Sequence, residues 1–221
     1  MEVETDKAFQ VGGNMIEELT RSRQNNKIYI DNAGQVSVVV KKVISKEEAE
    51  ATGEVRDQIL VYQYNSKGEL LYSVPVNKKQ EYPVAKMELF VDGAAIYVSG
   101  YYGREHQGHY IQKIEGGELV YSREYKFDDE FLKSTIVDPA KSKAIDKKIA
   151  KGKSYGLETI GLNNIVHFFE HNGSLFTVSE FQSRDNSVMA VEAVTRIEVI
   201  TRSFLVKKYS MDGEFEQALV I

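Results

Sequence analysis

The segment ILVYQYNSKGEL at residues 59–70 decides the fold, because its pattern of strand, turn and strand recurs along the chain. Its first half is rich in the β-branched and aromatic residues that favour strands. A Gly-Glu pair follows, and then an apolar residue. The same pattern occurs as YIQKIEGGEL at residues 110–119 and as FLVKKYSMDGEF at residues 204–215. Glycine adopts the positive φ that tight turns require, so each copy predicts a β-hairpin.

A second kind of hairpin precedes each of these copies. Its turn contains Asn or Asp followed closely by Gly, between stretches of apolar residues. Asn-Gly and Asp-Gly are the strongest short-range hairpin signals. The turns are predicted at Asn32 to Gly34, at Asp92-Gly93 and at Asn172-Gly173. Each pair of hairpins makes a unit of four antiparallel strands, and the three units lie near residues 27–77, 87–127 and 164–221.

Four antiparallel strands in roughly 40–50 residues are the organisation of a propeller blade. We therefore predict one all-β domain over residues 1–221, a β-propeller-like repeat of four-stranded antiparallel units. Three blades do not close a propeller, which needs about four to eight. The sequence leaves open an open arc, another packing of the same hairpins, or a fragment of a longer protein. An open arc would leave sheet edges that pair with another chain.

One helical insertion is predicted over residues 128–152, between the second and third units. Asp138-Pro139 ends a first short helix and starts a second, because proline suits the first helical position. Ile145 and Ile149 lie four residues apart and form an apolar stripe for packing on the sheets. The charged segment 45–57 is expected to be an exposed loop.

The composition limits the chemistry of the chain. The net charge of −5 makes nucleic acid an unexpected partner, because phosphate contacts need clustered Lys and Arg. The absence of cysteine excludes disulfides and thiol catalysis. No apolar stretch is long enough for a membrane-spanning segment, and residues 1–27 lack the apolar centre of a signal peptide. We therefore expect either a cytoplasmic protein or an exported one whose signal has been removed.

Residues 121–182 carry a resemblance to a known group of proteins. A strand leads to Phe127-Asp128, a Lys-rich helix follows over 141–153, and a hairpin then ends in Glu180-Phe181. This run resembles one found in uncharacterised exported, propeller-like β-repeat proteins of bacteroidete-type bacteria. The similarity extends over residues 60–221. It implies a propeller-like fold and a periplasmic or cell-surface location, and it implies no activity and no site residues.

One loop is a candidate ligand-binding site. Tyr101, Tyr102, Arg104 and His106 combine aromatic area with polar groups, as a platform for a sugar or a peptide would. The alternative is that Tyr101 or Tyr102 ends a strand and packs in the core.

No metal site, cofactor or catalytic motif is predicted. His106 and His109 have ligand-like spacing beside Glu105, but the nearby glycines argue against a helix and a third ligand is not evident. His167 and His171 would lie about 13 Å apart on a strand, too far to share a metal. Acidic residues adjacent in sequence do not establish the facing carboxylates of a glycosidase.

These observations predict a non-catalytic binding or scaffold module of the bacterial cell envelope. Its partner would be a protein or a glycan, held on a sheet face or at an open sheet edge, and the same edges would allow an oligomer. Two alternatives stay open. One is a carbohydrate-active enzyme whose carboxylates meet only in the folded chain. The other is a propeller fragment completed by another chain.

Overall fold

The fold is known from a computed structural model, which describes residues 27–31, 33–54, 56–76, 87–103, 105–134, 139–153, 155–157, 161–188 and 195–221. It is an all-β fold of three four-stranded antiparallel sheets with few helices. Within each sheet the strands follow one another in chain order, so every neighbouring pair is a hairpin or a short connection. The predicted four-stranded units are therefore confirmed.

The first sheet has the order β1-β2-β3-β4. Its strands are β1 (Lys27–Ile30), β2 (Val36–Val43), β3 (Asp57–Tyr64) and β4 (Leu70–Pro75). Helix α1 (Lys46–Thr52) joins β2 to β3. The prediction of a single helical insertion was therefore wrong, because a helix lies where a loop was expected. The Ser45 side chain accepts a hydrogen bond from the backbone N–H of Glu48, and this cap starts α1.

The second and third sheets have the orders β5-β6-β7-β8 and β12-β11-β10-β9. The second comprises β5 (Glu88–Asp92), β6 (Ala95–Tyr102), β7 (Gly108–Glu115) and β8 (Glu118–Lys126). The third comprises β9 (Leu162–His171), β10 (Ser174–Val188), β11 (Thr195–Ser210) and β12 (Phe215–Val220). The hairpin of β10 and β11 is the longest, because both strands extend beyond the common unit.

The predicted turns are present at their glycines. Gly68, Gly117 and Gly213 all have positive φ, as the Gly-Glu turns require. At the tip of β9 and β10, Asn172 and Gly173 adopt φ values of 51° and 72°, which is the backbone of an Asn-Gly hairpin turn.

The insertion between the second and third sheets forms two helices, as predicted. Helix α2 spans Asp129–Ser134, and the Asp128 side chain caps it by accepting a hydrogen bond from the backbone N–H of Phe131 at 2.7 Å. Helix α3 spans Pro139–Ala150. Ile145 is fully buried and Ile149 packs beside it, which confirms the predicted apolar stripe. Among the helices of the described residues, none is long and apolar enough to cross a membrane.

The chain divides into two compact units. The first contains β1–β4 together with the hairpin turns at 91–95 and 114–119. The second contains the rest of the second sheet, helices α2 and α3, and the third sheet. In the second unit, both sheets and both helices contribute to one hydrophobic core. Its buried members are Tyr101, Phe127, Leu132, Ile145, Leu157, Ile165, Phe181 and Leu205.

The three sheets differ in how many of their faces are buried. Strand β2 is buried without interruption over 36–40, and β6 over 95–101, so both faces of these strands are covered. In β10 and β11 buried residues alternate with more exposed ones over 174–181 and 203–210. Because side chains alternate between faces, the third sheet has one covered face and one open face. We call these its inner face and its outer face.

Candidate functional site

Ionisable and phenolic side chains come together on the inner face of the third sheet. Lys207 and Tyr209 lie on β11, Tyr101 lies on β6, and His109 lies on β7. We call these four residues the inner polar cluster. Their side chains bridge the two sheets of the second unit, and none is more than 1% exposed. A substrate in solution therefore cannot touch them in this conformation.

Lys207 is the most unusual member of the inner polar cluster. Its side chain is fully buried, and Nζ lies 4.2 Å from the centre of the Tyr101 ring and 6.0 Å from that of Tyr209. Within the described part of the chain, Nζ has no hydrogen-bond partner. A buried cation without a counter-charge is costly, so burial lowers the pKa of the Lys207 amine well below its usual range.

His109 lies in a cage of aromatic rings. Its Nδ1 shares a 2.6 Å hydrogen bond with the Tyr209 hydroxyl on the facing sheet. Burial lowers the pKa of His109 well below its usual value, and the neighbouring Lys207 lowers it further. The rings around the imidazole are those of Tyr125, Phe127, Tyr209 and Phe215, with centres 4.9–5.5 Å away.

Tyr101 links the inner polar cluster to the core. Its hydroxyl lies 2.6 Å from the Ser179 hydroxyl on β10, so the two share a buried hydrogen bond between the sheets. Burial raises the pKa of the Tyr101 phenol and that of Tyr209. Burial therefore favours the uncharged form of every group in the cluster.

The described members of the predicted ligand-binding set lie in different environments. Tyr101 is buried in the core, and the buried His106 ring lies 5.4 Å from it. Tyr102, the next residue along β6, is half-buried and faces the opposite side, over Gly108. Arg104 lies outside the described residues. Tyr101 and His106 are thus brought together and Tyr102 is not, and binding of a ligand by this set stays a prediction.

The loop that carries His106 is fixed by its neighbours. Lys148 of α3 forms a salt bridge with Glu105 at 3.3 Å. The backbone N–H of Leu157 donates to the carbonyl of His106 at 3.3 Å. A Cβ at Gly156 would lie 2.2 Å from the carbonyl oxygen of Glu105, so only glycine allows this approach. The loop is consequently part of the packed structure of the second unit.

Sequence reasoning missed Lys207 and Tyr209, although a signal was present. In FLVKKYS at 204–210, Lys207 shares the alternation of Leu205 and Tyr209, which places a charged residue on the apolar face of a strand. His109 was considered only as a metal ligand. Within the described ranges, no group of three His, Asp or Glu side chains comes together that could hold a metal ion.

The fold defines a class of all-β proteins built from successive four-stranded antiparallel sheets. Comparison with known proteins adds no closer assignment. No family model matches the chain, and no curated protein is significantly similar to it.

Proposed function

We propose that this chain is a non-catalytic binding or scaffold module, with propeller-like stacked sheets, that binds a protein partner through the outer face of its third sheet. The observation that carries the proposal is the composition and exposure of that face. Seven apolar side chains lie on it: Phe169, Phe176, Val178, Phe204, Val206, Leu219 and Ile221. Phe169 is 40% exposed, Leu219 58% and Ile221 70%.

The strand register places these side chains in contiguous rows. Val178 lies opposite Val206, and Val206 lies opposite Leu219, so one apolar row crosses three strands. On one side of this row, Phe169 stacks on Phe176 with ring centres 5.6 Å apart. A contiguous apolar patch with polar residues at its rim is typical of a protein interaction site.

A second β-sheet is the expected cover for this face. The inner face of the same sheet packs against another sheet, and the central strands of the first two sheets are buried on both sides. Sheets stack face to face about 10 Å apart by interlocking such apolar side chains. This stacking is also what a propeller-like arrangement consists of, so the same observation supports the finer fold proposal.

We take the partner to be a second copy of the chain, because the outer face is apolar along its centre and polar at both ends. Glu180 lies beside Phe204 at one end, and Lys208 lies beside Phe176 at the other, where it pairs with Glu216 at the strand edge. A two-fold axis across the central row would place the apolar row of one copy over that of the other and leave the polar ends at the rim. Interfaces between identical chains are self-complementary in this way.

The test is the molecular mass of the purified chain in solution, measured by sedimentation velocity over a range of concentrations. We expect a monomer–dimer equilibrium that Leu219→Glu abolishes, since this change puts a charge in the apolar row. Leu71→Glu on β4 is the matched control, because Leu71 is 51% exposed and lies on the first sheet. A chain that stays monomeric at every concentration overturns the proposed self-association, and so does an equal effect of both variants.

The cellular setting is part of the same proposal. The resemblance to exported β-repeat proteins of bacteroidete-type bacteria supports a place in the periplasm or at the cell surface. A second candidate is a propeller fragment completed by a different chain, and the open outer face favours it as well. Mixed assembly with a second, different protein in place of self-association would identify this case.

A further inference from the structure

The inner polar cluster carries an inference that does not depend on the proposed function. Lys207 on β11 and His109 on β7 lie between two sheets that hold the second unit together. A folded protein retains a buried amine with no partner only while the amine is uncharged. The same condition applies to the imidazole, which is enclosed by four aromatic rings.

Among the described residues, the groups that face this pair carry no negative charge. They are the phenols of Tyr101 on β6, Tyr125 on β8 and Tyr209 on β11, and the imidazole of His106 in the loop after β6. On β10, Thr177 lies directly opposite Lys207 in the ladder. The helices contribute the apolar side chains of Leu132 and Ile145 to this core.

Glu214, the carboxylate that contacts the Tyr125 hydroxyl, is already engaged elsewhere. Glu214 lies 3.3 Å from the Tyr125 hydroxyl, pairs with Arg123 at 3.2 Å and is exposed. It therefore does not neutralise a proton placed on Lys207 or His109. Among the described residues neither group pairs with a carboxylate, and the contact available to a charged Lys207 is the face of the Tyr101 ring, 4.2 Å from Nζ.

We propose that Lys207 and His109 form a proton-sensitive latch, in which protonation of the buried amine and imidazole loosens the packing between the second and third sheets. The direction follows from proton linkage. The unfolded chain binds a proton at Lys207 up to a pH near 10.5, and burial lowers the pKa of the native amine well below that value. Between the two pKa values the unfolded chain binds one proton more than the native chain, so Lys207 makes the native state less stable as pH is lowered. Below a pH near 6.5, the unfolded chain also binds a proton at His109. Because the pKa of the native imidazole is lower, this second proton destabilises the native state in the same direction.

The test compares denaturant unfolding of the wild type, Lys207→Met and Lys126→Met between pH 5 and pH 10. Methionine keeps the volume of the lysine stem and removes the titrating group. Lys126 is the matched control, because it lies on β8 in the same unit but is exposed. Between the native and the unfolded pKa values of Lys207, a difference of one bound proton changes the unfolding equilibrium constant about tenfold per pH unit.

We therefore expect the wild type and Lys126→Met to lose stability in parallel as pH falls. Lys207→Met should lose it less steeply, so that the ratio of its unfolding constant to that of the wild type decreases as pH falls, by up to about tenfold per pH unit. If the unfolding free energy of all three proteins changes with pH in parallel, the proposed role of Lys207 is wrong.

A measurement on the wild type keeps the test decisive if Lys207→Met does not fold. Amide hydrogen exchange, corrected for its intrinsic pH dependence, is compared between Thr177 on β10 and Val61 on β3. We expect acid to reduce the protection of Thr177 more than that of Val61, because the latch lies in the second unit. Equal losses at both sites overturn the latch.

Discussion

The hydrogen bond between Tyr209 and His109 provides the sharpest prediction about the second unit. Tyr209→Phe removes one oxygen atom and keeps the ring. The hydroxyl is fully buried and lies 2.6 Å from Nδ1 of His109, which is itself 1% exposed. The change leaves a buried imidazole nitrogen without its partner, and water cannot easily replace that partner.

The expected cost is that of an unsatisfied buried polar group, about 1–3 kcal/mol of unfolding free energy. For a chain of this size, each kcal/mol lowers the melting temperature by about 2–4 °C. Denaturant unfolding followed by tyrosine fluorescence and circular dichroism measures the free energy, and calorimetry measures the temperature.

The double variant Tyr209→Phe, His109→Phe tests the stated cause. Replacing both partners by apolar rings removes the orphaned nitrogen, and the aromatic cage already accepts a flat ring. We expect the double variant to regain most of the stability that Tyr209→Phe loses. A Tyr209→Phe variant as stable as the wild type, or a double variant that loses the sum of the two single losses, would refute this account of the cluster.

Two further predictions concern the helical insertion and the loop beside it. Ile145→Ala should lower the unfolding free energy by about 2–5 kcal/mol, because it empties a fully buried site, whereas the exposed Lys147→Ala should change it by less than about 0.5 kcal/mol. A loss below about 1 kcal/mol for Ile145→Ala would show that α3 is not part of the core. Gly156→Ala should cost about 1–3 kcal/mol, because its Cβ would lie 2.2 Å from the carbonyl oxygen of Glu105 and 2.8 Å from that of His106. A thermal melt equal to that of the wild type would contradict the close approach at Gly156.

The features that sequence predicted are those fixed by nearby residues. A turn at Gly213 or Asn172-Gly173 depends on the φ of one or two residues, which their types restrict. The start of α3 at Pro139 is equally local. Helix α1 was missed although Ser45 and Glu48 give a capping signal, because seven residues form too short a helix for an apolar period to be recognised.

The inner polar cluster was beyond such reasoning because its contacts join distant parts of the chain. Tyr101 and Ser179 are 78 residues apart, and His109 and Tyr209 are 100 residues apart. Their meeting depends on which face of the second sheet packs on the third, and strand patterns do not specify that pairing. The inward position of Lys207 was visible in the alternation, but the groups around it were not.

The central claim is that the outer face of the third sheet binds a second copy of the chain. Hydroxyl-radical footprinting tests it most directly, with the oxidation of Phe169 and Phe204 measured at low and at high protein concentration. Tyr72 on β4, which is half-buried on the first sheet, is the internal reference. The account predicts that oxidation of the two phenylalanines falls as concentration rises, while that of Tyr72 does not change. Oxidation of Phe169 and Phe204 that is independent of concentration would contradict it.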